Sequence, residues 1–88
     1  MNGIEMGETC AVVAQVIDER KRQHGKWGEQ NHDPAFWLSI LGEEFGEVCR
    51  AVCEGKLDEY MTELIQVAAV AVQMVECERR RRDGINTD

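Results

Sequence analysis

The stretch "DPAFWLSILGEEFGEVCRAVCEG", residues 33–55, carries a complete helix signal together with a concentration of acid that a helix core does not ordinarily hold. Asp33 followed by Pro34 has the form of an N-cap with proline at the first helical position, and Gly55 suits the residue just past a helix end. At about 100° per residue, Trp37, Leu41, Phe45, Val48 and Val52 fall on one apolar stripe. Beside it runs a second row of Phe36, Ile40, Glu43, Glu47 and Ala51, which begins apolar and turns acidic. Glu44 falls between the two.

On the N-terminal side, Val12, Val13, Val16 and Ile17 recur at helical spacing and predict an amphipathic helix from about Glu8 to His24 with one buried stripe and Gly25 as its stop. The end of that helix, "DERKRQH", reads as solvated charge. The segment "GKWGEQNHD", residues 25–33, has two glycines, no apolar period and many hydrogen-bonding side chains, and predicts a loop. On the C-terminal side a third helix is expected from Leu57 or Asp58 through "YMTELIQVAAVAVQMVECE". From Leu64 to Val75 it is apolar nearly all round, which calls for burial against the other helices and against another subunit. "ERRRRDGINTD" reads as a basic helix end and a short tail from about residue 79, with arginines that suit the negative end of the helix dipole. Trp37, Phe36, Phe45 and Tyr60 are expected in the core.

These elements make one all-α domain over residues 1–88, a bundle of about three main helices. A domain of this size buries only roughly 60% of its unfolded surface, so assembly into an oligomer is favoured. The net charge of −7 excludes a broad footprint for duplex nucleic acid. Four cysteines, Cys10, Cys49, Cys53 and Cys77, form neither a CxxC pair nor a secreted disulfide framework, and read as reduced core residues. With two histidines in the chain, a zinc site is not expected. There is no basic and apolar leader and no apolar run of the roughly 18 residues a membrane span needs, so a soluble cytoplasmic protein is expected.

Glu43, Glu44 and Glu47 span about 100° of helix circumference, so their carboxylates can converge on one point. Desolvating like charges there raises at least one pKa unless a cation compensates. Mg²⁺ and Mn²⁺ take such hard oxygen ligands, together with water and phosphate oxygens. Glu63, at the entrance of the apolar run in the third helix, is best placed to add a fourth carboxylate, and Gln66 shares its face. Against this stands the plain alternative that EExxE, rich in a good helix former, lines a solvent face.

"EEFGE", then fifteen residues, then "ELIQ" followed by "VAAVAVQM", resembles the MazG-like all-α nucleoside triphosphate pyrophosphohydrolases, whose pattern is EExxE, a spacer and ExxD. The upstream "ERKRQHGKWGEQNH" resembles the lead-in of short bacterial and phage members, so the likeness runs from about Asp18 to Glu76. The resemblance implies that Glu43, Glu44, Glu47 and Glu63 bind Mg²⁺ or Mn²⁺, and that a nucleoside triphosphate is hydrolysed to its monophosphate and pyrophosphate. Glu44 or Glu47 would orient or deprotonate the attacking water. It also implies a homodimer or homotetramer whose subunits hold the base between them. One position departs from the pattern: Gln66 stands where the family usually has aspartate. An amide oxygen can contact a metal or a bound water, but it lacks the charge that offsets a second cation.

For the rest of the substrate the loop offers Trp27 to stack on a base, Lys26 to meet a phosphate, and Gln30, Asn31 and His32 to bond a base or sugar edge. The same residues also suit structural work, with Trp27 plugging the loop onto the core and His32 and Asp33 capping a helix. Arg50 and Lys56 read as surface residues within reach of phosphates. Two further readings follow from the same features: a nucleotide-binding protein with weak or no turnover because of Gln66, and a helical interaction protein with an acidic face.

Overall fold

The computed structural model describes residues 6–86, all-helical with α1 over Met6–Trp27, α2 over Pro34–Cys53 and α3 over Leu57–Asn86, and no strand among the described residues. The all-α class expected from the periodicity is what the chain adopts. Residues 1–5, where part of the reading about a leader falls, and residues 87 and 88 lie outside the described residues. Among the described residues no helix is long and apolar enough to cross a membrane.

The ends of α2 are those its sequence predicts. Asp33 is extended at φ −72° and ψ 162°, and its Oδ1 accepts from the Phe36 N–H at 2.8 Å, with Pro34 opening the helix. At the other end Glu54 caps the helix, and Gly55 takes φ +70° while its N–H donates to the Val52 carbonyl at 3.1 Å. α1 corrects the expectation, because it runs through Gly25 and stops at Trp27. The left-handed residue that ends it is Gly28, at φ +71°, whose N–H closes on the His24 carbonyl at 2.7 Å. α3 likewise runs well past residue 79, because Arg81 and Arg82 pair with Glu78 one turn back and keep the arginine run helical.

α3 is the axis of the molecule. Its 30 residues, at about 1.5 Å each, account for most of the 49 Å long dimension. α1 and α2 each pack against α3 and make no backbone-distance contact with one another. The buried apolar residues are Trp37, Val48 and Ala51 of α2 and Ala69, Val70 and Cys77 of α3, while the one buried residue of α1 is Gln23. The predicted stripe of α1 is therefore a face without a cover, with Val12, Val13 and Ile17 all exposed. Phe36 and Phe45, expected in the core, are 52% and 59% exposed, since α2 has only one neighbour to bury them against. For the same reason Cys10, Cys49 and Cys53 are exposed thiols and Cys77 alone is buried. The radius of gyration, 15.4 Å, exceeds the roughly 12 Å of a compact chain this long.

Candidate metal and nucleotide site

α2 and α3 pack so that the acidic row of one faces the entrance of the apolar run of the other. Glu44 is half-buried there, and burial is the main cause pushing its carboxyl above its ordinary pKa. The charges of Glu63, Glu47, Glu19 and Glu43 push it the same way, in falling order. Glu63 is raised as well, first by burial and then by Glu47 and Glu59, with Arg50 opposing. α2 and α3 thus bring together the four glutamates that the sequence singles out.

Gln66 stands between two of them. With its amide turned to satisfy its neighbours, the nitrogen donates to Glu63 Oε2 at 2.8 Å and to Glu44 Oε2 at 3.2 Å. It lowers the mutual repulsion of the two carboxylates by sharing one donor group. Glu47 is tied to Arg50 Nη1 at 2.9 Å, and both side chains are largely open to solvent.

α1 supplies a fifth carboxylate. Glu19 accepts from Arg22 Nε at 2.8 Å and Nη2 at 2.6 Å, and from Gln23 Nε2 at 3.2 Å. The hydrogen bond from Arg22 holds its carboxyl below the ordinary value even though burial works the other way. Glu19 acts on both Glu44 and Glu63, and Glu44 in turn acts on Arg22, so this pair forms the α1 wall of the cluster. "DERKRQH" is not simply solvated: Glu19, Arg20 and Gln23 turn inward against α3, and Arg20 reaches Glu76 at 2.8 Å. The available signal was the four-residue spacing of Glu19 and Gln23.

Five glutamates balanced by two guanidinium groups leave a net negative site with oxygen donors only, which fits Mg²⁺ or Mn²⁺ and does not fit a soft metal. Among the described residues, no three His, Cys, Asp or Glu side chains stand as a ready-made cage. Each oxygen accounted for above is turned to an arginine or to Gln66, so a cation would draw the carboxylates off these partners.

The loop comes to the same place. A trough of about 610 Å³ is lined by Trp27, Gln30, His32, Trp37, Glu43 and Glu44 among others, within the usual range for a small-molecule site. His32 leans on Phe36 at 4.5 Å and edge-on against Trp37 at 4.9 Å, and its Nε2 is 3.1 Å from Gln30 Oε1. Trp27 is 53% exposed, with the Lys26 ammonium 4.6 Å from its ring centre, so Lys26 rests on an aromatic face and does not line the trough. The loop is fastened from behind by Arg80, which donates to the Gln30 carbonyl at 3.0 Å and to Asn31 Oδ1 at 3.1 Å, and by Cys77 Sγ, 3.5 Å from the His32 carbonyl. This role for one of the four arginines is not visible in the sequence. Compared with known proteins, the chain matches no family model, no curated protein and no solved structure.

Proposed function

We propose that this chain is a nucleoside triphosphate pyrophosphohydrolase of the MazG-like type. The observation that carries this reading is that one trough is lined both by the exposed Trp27 and by the carboxylate-bearing Glu43 and Glu44, of which Glu44 is half-buried. A base would stack on Trp27, with the phosphates over the glutamates. Glu43, Glu44, Glu47 and Glu63 would hold Mg²⁺ or Mn²⁺, which when bound offsets the triphosphate charge and acidifies water. Glu44 or Glu47 would take the proton of the water that attacks the α-phosphorus, as the bond from that phosphorus to the leaving pyrophosphate oxygen breaks. Gln30 and His32, which line the trough, would meet a base or sugar edge, Lys26 would have to leave the face of Trp27 to meet a phosphate, and Gln66 would set the geometry of Glu44 and Glu63.

The functional unit would be a homodimer or homotetramer. A groove of about 620 Å³ between α1 and α3, lined by Val13, Val16, Ile17 and Val72, is apolar and open. Val75, on the same helix, is 60% exposed.

The test is to incubate the protein with a panel of ribo- and deoxyribonucleoside triphosphates and Mg²⁺ or Mn²⁺, beside Glu44→Ala, and to separate pyrophosphate from orthophosphate. Metal-dependent pyrophosphate release that vanishes in the variant supports the reading, and no release across the panel refutes turnover. Gln66, bonded to both Glu63 and Glu44, favours one second reading: a nucleotide-binding protein with weak or no turnover, which binds the same panel and releases nothing.

A further inference from the structure

We infer that the carboxylate cluster takes one divalent cation and not a pair, because the Gln66 amide fills the place between Glu44 and Glu63 that a second cation would take. The inference rests on the metal part of the reading above and goes beyond it in fixing how many ions the site holds and which residue decides it.

Gln66 and Glu63 are three residues apart on α3 and share a face, and Glu44 comes to them from α2. The amide nitrogen donates to Glu63 Oε2 at 2.8 Å and to Glu44 Oε2 at 3.2 Å, whereas the opposite orientation would set its oxygen against both carboxylates, acceptor against acceptor. An amide nitrogen of this kind has two hydrogens, so each carboxylate takes one and the donor group is fully used. With hydrogens that diverge by about 120°, the two oxygens stand about 5 Å apart on either side of the nitrogen. A Mg²⁺ ion bridging them at about 2.1 Å from each would need them within about 4.2 Å, with the nitrogen gone from between them. The amide and a bridging cation exclude one another.

Charge points the same way. The five glutamates of the cluster, set against Arg22 and Arg50, leave three net negative charges. One divalent cation offsets two of them, and a second would make the site positive before any substrate arrived. A carboxylate at position 66 would reverse both conditions, since it brings no donor hydrogens and adds the charge that two cations need. Gln66 engages only one oxygen of Glu44 and one of Glu63, so the other oxygen of each is left for the single ion, together with Glu43 and with Glu47 once it is drawn off Arg50.

The experiment is titration of the full chain with Mn²⁺ alone, without nucleotide, followed by electron paramagnetic resonance. The signal of free Mn²⁺ gives the number of ions bound, and the bound spectrum separates an isolated ion from a coupled pair, because the ions of a two-metal site lie about 3.5–4 Å apart. The wild type should saturate at one Mn²⁺ per chain with the spectrum of an isolated ion. Gln66→Asp, and Gln66→Glu, which keeps the side-chain length, should each take two with a coupled spectrum. A coupled pair in the wild type overturns the inference and leaves the proposed function standing. A single ion in the wild type and in both variants overturns the role given to Gln66. No bound Mn²⁺ in the wild type overturns the inference, and none in any of the three chains takes the metal reading with it.

Discussion

Glu44→Gln should make the metal-free protein more stable, not less. The variant keeps an oxygen for the Gln66 amide and removes only the charge. Glu44 Oε2 and Glu63 Oε2 lie 3.2 and 2.8 Å from the same Gln66 nitrogen, so they are no more than about 6 Å apart. Two unit charges at that separation repel by about 0.7 kcal/mol in bulk water and about 3 kcal/mol at an effective dielectric constant of about 20. Both carboxylates are partly open to solvent and Arg22 and Arg50 stand nearby, which moves the expectation to the lower part of that range, about 1 kcal/mol. For a domain of this size that corresponds to a rise of roughly 4–8 °C in melting temperature. The assay is thermal unfolding by circular dichroism at pH 7.5 and fixed protein concentration, with and without Mg²⁺. Wild type should gain from the cation, by about 2.7 kcal/mol at a hundred times its dissociation constant, and Glu44→Gln should gain less. A variant that is no more stable than wild type without Mg²⁺, or that gains as much from it, would refute the idea that these carboxylates are a strained cation site.

Other perturbations separate the parts of the structure. Gln66→Asp removes the shared donor and adds a carboxylate, so the metal-free protein should lose about 1–2 kcal/mol, while Mn²⁺ should restore more stability than in wild type and pyrophosphate release should rise; an unchanged metal response would count against the bridging role of Gln66. Because Glu44 and Glu63 titrate above their ordinary value when folded, the stability their protonation confers is present at low pH and is lost as pH rises through the raised values, whereas Glu19, held low by Arg22, contributes stability above pH 4.5 that disappears in stronger acid. Melting temperature without metal should therefore peak in mild acid, and a steady fall from neutrality downward would contradict the assignment. Arg80→Ala frees the Gln30 carbonyl and Asn31, so amide exchange should quicken in residues 28–33 and nucleotide affinity should drop several-fold with the helices intact. Asp33→Ala removes the cap of α2 and should cost about 1 kcal/mol, read as a lower urea midpoint.

The elements that were legible in the sequence are those whose signals are local. Asp33, Pro34 and Gly55 mark the ends of α2 through backbone chemistry that needs no neighbour, and the structure has them there. Gly25 and Gly28 compete for the end of α1, and local composition does not choose between them. The helix needs one left-handed residue, and Gly28 is the one whose N–H closes on His24. Periodicity put Phe45 on the stripe of Trp37, yet Phe45 is 59% exposed and Trp37 3%, because the covered face centres on Trp37, Val48 and Ala51 and Phe45 lies at its edge. A stripe states which residues point together; how many helices cover it is a tertiary fact, and α2 has one. Glu43, Glu44 and Glu47 were legible because acid interrupts an apolar row. Glu19 was not, because acid among arginines looks like any solvated helix end until α3 is seen beside it.

The shape of the chain bears on how its site would work. Glu19 and Arg22 form one wall of the carboxylate cluster, and they sit on a helix whose backbone comes close only to α3 and which buries a single residue of its own. A wall anchored so lightly cannot fix charges to the fraction of an ångström that metal and phosphate geometry demands. The exposed Val12, Val13 and Ile17 lie upstream of Glu19 on that helix, so a second copy covering them would hold α1 against α3 and fix Glu19 and Arg22 with it. Under the proposed function, assembly and site formation would then be one event, with the open apolar face and the acidic cluster coupled through α1.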